Sequence, residues 1–140
     1  ASDVYKRQFY DPFEYLMLQH KVGRLMTSFP NSLGKISYQV PCHLRVQNIG
    51  LKTRDVLELV PGAQVEVIER CSGHDGTYAV KKEYGEIARK LARPAVRQVN
   101  KEEANHFTSD CPMAAEHIAS VSNEAVATNP MQLLRQAYGI

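Results

Sequence analysis

Residues 35–43 read KISYQVPCH, in which polar residues alternate with β-branched and aromatic ones. This alternation predicts a β-strand over residues 35–40 that runs directly into Pro41 and Cys42. The same arrangement occurs twice more: QVEVI at 64–68 precedes Cys71, and FTS at 107–109 precedes Cys111. Each of the three predicted strands therefore ends at a cysteine.

Helical patterns separate these strands, which indicates the class of fold. The sequence predicts helices over residues 12–26, 53–59, 78–91, 95–103, 113–120 and 130–138. Strands that alternate with helices are typical of an α/β unit with a parallel sheet. We therefore expect an α/β fold with a short parallel sheet flanked by helices. The cysteines should lie at the C-terminal ends of the strands, which share one edge where such sheets bind ligands.

Three thiols at one place predict a site for a soft metal. Thiolate sulfur favours iron–sulfur clusters, zinc or copper(I) over magnesium or calcium, and cysteine is the usual ligand of iron–sulfur clusters. Cys71 and Cys111 each precede a predicted helix, whose N-terminus would stabilise the thiolate. The predicted metal ligands are Cys42, Cys71, Cys111, His43 and His74.

A glycine-rich loop, CSGHDGT, follows the second predicted strand at residues 71–77. Its glycines would let the backbone approach a bulky inorganic group. The predicted cofactor-binding residues are Gly73, Asp75, Gly76 and Thr77. The loop matches neither a P-loop nor a dinucleotide fingerprint. A single cysteine is often a small buried apolar residue, but three in equivalent positions argue against that interpretation.

Length and composition exclude several classes of protein. The chain has 140 residues, a net charge of +2 and 3 cysteines, too few for a disulfide scaffold. Its basic residues are mixed with acids, so we expect no nucleic-acid partner. No apolar stretch reaches the ~20 residues of a membrane span, so we expect a cytoplasmic location. We interpret residues 1–8, ASDVYKRQ, as a non-native or disordered leader, and residues 9–140 as a domain of a longer chain.

The cysteine-bearing segments resemble a known family. YQVPCH at 38–43, CSGHDGTYAVKK at 71–82 and SDCPM at 109–113 are similar to the cysteine-rich (CCG) domain. That domain occurs in a subunit of heterodisulfide reductase, in glycolate and lactate oxidase iron–sulfur subunits, and in an iron–sulfur subunit of anaerobic glycerol-3-phosphate dehydrogenase. The family pattern has a first Cys, a Cys-Cys-Gly and a final Cys-x-x-Cys. Here Ser72 replaces the second thiol of Cys-Cys-Gly, and Ala114 replaces the last thiol of Cys-x-x-Cys.

The resemblance implies a C-terminal domain of an iron–sulfur electron-transfer subunit, not a catalytic one. It implies an iron–sulfur cluster, of the 4Fe-4S type, that receives electrons from a flavin dehydrogenase of the glycerol-3-phosphate or 2-hydroxy acid type. Electrons would pass toward quinone or another carrier, at the inner face of the cytoplasmic membrane. Upstream cysteine-rich and ferredoxin-type domains would be further partners. Two alternatives stay open: a zinc-binding or metal-free docking domain of such a complex, and a thiol–disulfide redox protein.

Overall fold

A computed structural model describes residues 9–122 and 124–140 of the chain. Residues 1–8, interpreted above as a leader, lie outside the described residues. The helices, in chain order, are α1 Pro12–Lys21, α2 Cys42–Gln47, α3 Lys52–Leu57, α4 Gly85–Glu102, α5 Pro112–Ser122 and α6 Pro130–Tyr138. The strands are β1 Lys35–Gln39, β2 Gln64–Ile68 and β3 His106–Ser109, and a 3₁₀ turn covers Tyr78–Val80. Within these residues no helix is both long and apolar enough to cross a membrane.

The sheet confirms the predicted α/β fold. Its three described strands are all parallel, in the order β2-β1-β3. Gln39 at the end of β1 lies opposite Ile68 of β2 and Ser109 of β3, so the three strands end level with one another. A single parallel bridge from Phe107 to Ala127 extends the sheet beyond β3. The register therefore brings the three following segments to one edge.

Apolar side chains cover the sheet on both faces, as a parallel sheet requires. Ile68 and Phe107 pack with Ala92 and Val99 of α4 and with Ile118 of α5. The opposite face buries a second cluster from β1, α3 and α6: Leu33, Ile36, Leu57, Val60, Leu133 and Ala137. Helix α1 lies outside α3 and α6, through Phe13 against Val56 and Leu134. The two layers hold the strand ends in fixed positions.

Helices α1 and α2 differ from the sequence prediction. Helix α1 ends at Lys21, not near Met26, because Gly23 adopts a left-handed φ of +69° and closes the helix by a bond from its N–H to the His20 carbonyl. Helix α2 was not predicted: it has only six residues, and its N-terminus has no side-chain cap. It begins at Cys42 itself.

The segment around Pro94 also differs from the prediction. Helix α4 is continuous through Pro94, whereas the sequence predicts that one helix ends before this residue and another begins after it. A proline costs the helix one N–H bond, but Ala92 and Val96 on either side are buried against the sheet, and this burial favours an unbroken helix. The first turns of the predicted long helix are absent from residues 78–84: Tyr78–Val80 form a short 3₁₀ turn, and the rings of Tyr78 and Tyr84 are stacked 4.4 Å apart.

Candidate metal centre

The three cysteines line one cavity at the C-terminal edge of the sheet. Cys42 begins α2, Cys71 follows β2, and Cys111 lies between β3 and α5. The cavity has a volume of about 370 Å³. Its lining contains all five predicted metal ligands together with Pro41, Ser72, Gly73, Asp75, Gly76, Leu91 and Ala114. The fold thus brings together residues that lie up to 69 positions apart, from Cys42 to Cys111.

All three cysteines are free thiols with access to the surface: Cys42 and Cys71 are exposed, and Cys111 is half-buried. Cys111 lies directly before α5, as predicted, and its carbonyl accepts the N–H of Ala115 at 3.0 Å. Cys71 is followed by the predicted loop, but the α-helix after that loop begins at Gly85 and not at Tyr78 as predicted. Cys42 occupies a helix N-terminus instead. Two of the three thiols, those of Cys42 and Cys111, therefore lie at helix N-termini.

The donor chemistry of the cavity fits an iron–sulfur group, because cysteine thiolate is the usual ligand of such clusters. Among residues 9–122 and 124–140, no group of three His, Cys, Asp or Glu side chains is placed to hold one metal ion. The chain supplies three of the four thiolates that such clusters ordinarily take, and the two histidines lie in the same lining.

His74 is held next to Cys71 by a local hydrogen bond. The Ser72 hydroxyl, in a residue that is only 5% exposed, bonds the His74 Nδ1 at 2.9 Å. Burial lowers the pKa of His74, and His117 lowers it further, while Asp75 partly opposes both effects. His74 is therefore neutral at pH 7, which is the form that binds metals. His43, by contrast, is exposed on the first turn of α2.

His117 was not among the predicted site residues. It lies on α5, and its Nε2 is buried with no hydrogen-bond partner among the described residues. A charge on His117 contributes to the lowered pKa of His74. The sequence carried no signal for this, because His117 belongs to α5 and His74 to the loop after β2.

Gly73 is required by a close approach to α4. Its φ is +78°, and a Cβ there would lie 2.4 Å from the Ala88 carbonyl oxygen and 2.9 Å from the Ala92 nitrogen. The N–H of Gly73 donates to the Cys71 sulfur at 3.3 Å. These contacts explain the glycine without a cofactor, so the cofactor-binding role of Gly73 stays a prediction.

The other three predicted cofactor-binding residues lie further along the loop. Asp75 and Gly76 line the cavity and both have a positive φ, of +29° and +58°. A Cβ at Gly76 would meet nothing within 4 Å. Thr77 is exposed and does not line the cavity. The cofactor-binding roles of these three residues stay predictions.

A buried polar network joins the residue before Cys111 to β1 and α3. The Asp110 carboxylate accepts hydrogen bonds from the Tyr38 hydroxyl at 2.5 Å and from the Thr53 hydroxyl at 2.6 Å. Burial raises the pKa of Asp110 even though both bonds lower it. Burial and the neighbouring Asp110 also raise the pKa of Tyr38. This network was not predicted, because its members come from three separate elements.

Comparison with known proteins identifies the family. The cysteine-rich (CCG) domain matches residues 36–118, which is more than half of the chain and contains all three cysteines. This chain belongs to the cysteine-rich domain family. It is 31% identical over 104 residues to a subunit of the anaerobic glycerol-3-phosphate dehydrogenase of Escherichia coli K12, and equally to the same subunit of Escherichia coli O157:H7.

The alignment with these relatives covers 74% of this chain and 26% of each relative, so the chain spans about a quarter of the relatives' length. No solved structure gives a significant match. Ser72 and Ala114, the two positions at which the resemblance leads us to expect further cysteines, are both buried, and both line the same cavity as the three thiols.

Proposed function

We propose that this chain is an iron–sulfur electron-transfer domain, with the cluster held in the cavity of Cys42, Cys71 and Cys111. The observation that carries the proposal is the convergence of three free thiols, from three separate strand ends, in a chain of the cysteine-rich domain family. The match to a dehydrogenase subunit supports a role within an oxidoreductase complex.

The residues of the chain would have distinct tasks. The three thiolates would hold the cluster, and the neutral His74 or the exposed His43 would complete the ligand set. The Gly73 N–H, which already points at the Cys71 sulfur, would stabilise the charge on that thiolate. The cluster, of the 4Fe-4S type, would supply one-electron transfer when bound. The chain itself would provide no catalytic acid or base.

The match to a dehydrogenase subunit supports a proposal for the donor. We propose a flavin dehydrogenase, of the glycerol-3-phosphate or 2-hydroxy acid type, as the donor, and a quinone-linked or other carrier as the acceptor. Further cysteine-rich and ferredoxin-type domains would precede residues 9–140 in a longer protein. A cytoplasmic location at the inner face of the membrane would suit such a chain.

Helix α4 offers a docking face for an acidic partner. Four cations and one acid line a groove along it: Glu86, Arg89, Lys90, Arg93 and Arg97. None of these four cations forms an ion pair in the part of the chain that the structure describes. Such a charged face would speed association at low salt.

The test is anaerobic reconstitution of the 140-residue chain with iron and sulfide. Iron, zinc and acid-labile sulfide are measured per chain, and the reduced sample is analysed by electron paramagnetic resonance. We expect near-stoichiometric iron and sulfide, and loss of both in Cys42→Ser, Cys71→Ser and Cys111→Ser. Val46→Ser is the matched control, because Val46 lies on the same helix as Cys42, is 83% exposed and does not line the cavity.

The same measurement separates the alternatives. Zinc without sulfide would establish a zinc-binding docking domain, and a chain without metal would leave docking or thiol–disulfide chemistry. The free, accessible state of all three thiols favours the second of these over docking alone. A glutathione redox titration in which two thiols form a disulfide, releasing two electrons and two protons, would then identify it.

A further inference from the structure

Gln39 lies beneath the cysteine cavity and is 1% exposed. It is the last residue of β1, where the central strand of the sheet ends. Polar side chains at such a depth are costly unless every donor and acceptor has a partner. The partners of its amide group therefore show what the residue does.

The amide group of Gln39 connects all three segments that carry a cysteine. Its Nε2 donates to the Val40 carbonyl at 2.9 Å, two residues before Cys42, and to the Arg70 carbonyl at 3.0 Å, directly before Cys71. Its Oε1 accepts the Ser109 hydroxyl at 2.9 Å. The Ser109 oxygen in turn accepts the N–H of Cys111 at 3.3 Å, which completes the third connection.

We infer that Gln39 is the positioning residue of this site: it holds the three cysteine-bearing segments in one frame and so sets the relative placement of the thiols. The importance of this placement for a cluster rests on the function proposed above. The frame itself does not depend on that function, because its hydrogen bonds are made by protein groups alone. Strand pairing ends at Gln39, Ile68 and Ser109, followed by one more backbone bond from the Val40 N–H to the Ile68 carbonyl at 3.1 Å, so beyond these residues the ladder no longer fixes the segments.

The variant that tests the frame is Gln39→Met, which keeps the length and volume of the side chain but removes its donors and acceptor. Ser37→Ala is the matched control. Ser37 lies two residues earlier on the same strand, is 0% exposed, and its hydroxyl has no partner in the described part of the chain. The first measurement is hydrogen exchange of single amides by nuclear magnetic resonance, in the metal-free chain.

We expect the Cys111 and Gly73 amides to exchange at least tenfold faster in Gln39→Met than in the unmodified chain. The Asn105 amide, bonded to the Lys35 carbonyl at the opposite end of the sheet, should not change. Global destabilisation would accelerate all three amides together, so this contrast isolates the frame. If Gln39→Met does not fold, Ser109→Ala takes its place. This variant should accelerate exchange of the Cys111 amide and change the exchange rate of the Gly73 amide by no more than about twofold.

The second measurement is reconstitution with iron and sulfide, followed by the midpoint potential and resonance spectrum of the cluster. A shifted potential or altered spectrum in Gln39→Met, with Ser37→Ala unchanged, supports positioning of the ligands. If the unmodified chain binds no iron and sulfide but the selective exchange effect is present, the proposed cluster is wrong and the frame stands. If Gln39→Met, or Ser109→Ala in its place, accelerates the Cys111 amide no more than the Asn105 amide, the inference is overturned.

Discussion

A pair of glycines in the loop after β2 allows a sharp test of how the site is built. Gly73 and Gly76 are three residues apart, and both adopt the left-handed region, with φ of +78° and +58°. They differ in what a methyl group would meet. At Gly76 there is nothing within 4 Å, whereas at Gly73 two backbone atoms of α4 lie within 3 Å of the new Cβ. Alanine at each position therefore separates the cost of conformation from the cost of crowding.

The expected magnitudes follow from this geometry. Left-handed φ costs an L-residue about 1–2 kcal/mol, and this cost applies at both positions. At Gly73 the Cβ would lie 2.4 Å from the Ala88 oxygen, and because helix backbone cannot turn aside, the loop or α4 must move. Crowding of this kind costs about 1–3 kcal/mol more. We expect Gly73→Ala to lower the free energy of unfolding by about 2–5 kcal/mol in total, and Gly76→Ala by about 1–2 kcal/mol.

Urea unfolding followed by circular dichroism measures both free energies. Alanine also reduces the entropy of the unfolded chain, but equally in the two variants, so their difference reports the crowding alone. The alkylation rate of the Cys71 thiol is a local readout, since Gly73 bonds that sulfur, and it should change only in Gly73→Ala. Two variants of equal stability and equal thiol reactivity would refute the proposed contact between the loop and α4.

Three further predictions concern single residues. Burial raises the pKa of Asp110 above 3.8, so the free energy of unfolding falls as pH rises from about that value through the folded-state pKa. Asp110→Asn should remove this fall. An unchanged pH profile of Asp110→Asn in urea titrations would contradict the prediction. Ala114→Cys adds a fourth thiol to the cavity and should increase the iron and sulfide bound on reconstitution, whereas Ala115→Cys, which faces the core, should not. Pro94→Ala restores a helix N–H and should stabilise the chain by about 1–2 kcal/mol, measured by thermal unfolding. A less stable variant would show that α4 needs the proline.

The parts of the fold that could be predicted are those with a local signal. The alternation in KISYQV and QVEVI identifies the strands within a residue, and parallel pairing then places Cys42, Cys71 and Cys111 at one edge without any tertiary information. The last helix was predicted at residues 130–138, as the structure has it, and the structure shows that a proline and a capping box at Asn129 begin it.

The parts that could not be predicted depend on packing. Pro94 indicates a break by every local rule, and only the burial of its neighbours keeps α4 continuous. Asp110 and Gln39 look like ordinary polar residues at a strand end. Their importance comes from partners 57, 72 and 70 positions away, namely Thr53, Tyr38 and Ser109. No spacing rule within one segment reports such partners.

The two positions at which the resemblance leads us to expect further thiols are not equivalent, and this bears on what the cavity can hold. At position 72 a buried hydroxyl bonds the His74 ring, and burial lowers the pKa of that ring. At position 114 the alanine offers only a methyl group to the cavity. If the cavity binds a cluster as proposed, the loop of Cys71 has a second donor in His74. Because Ala114 offers none, a fourth ligand would have to come from His74, from His43 or from a group outside the described residues.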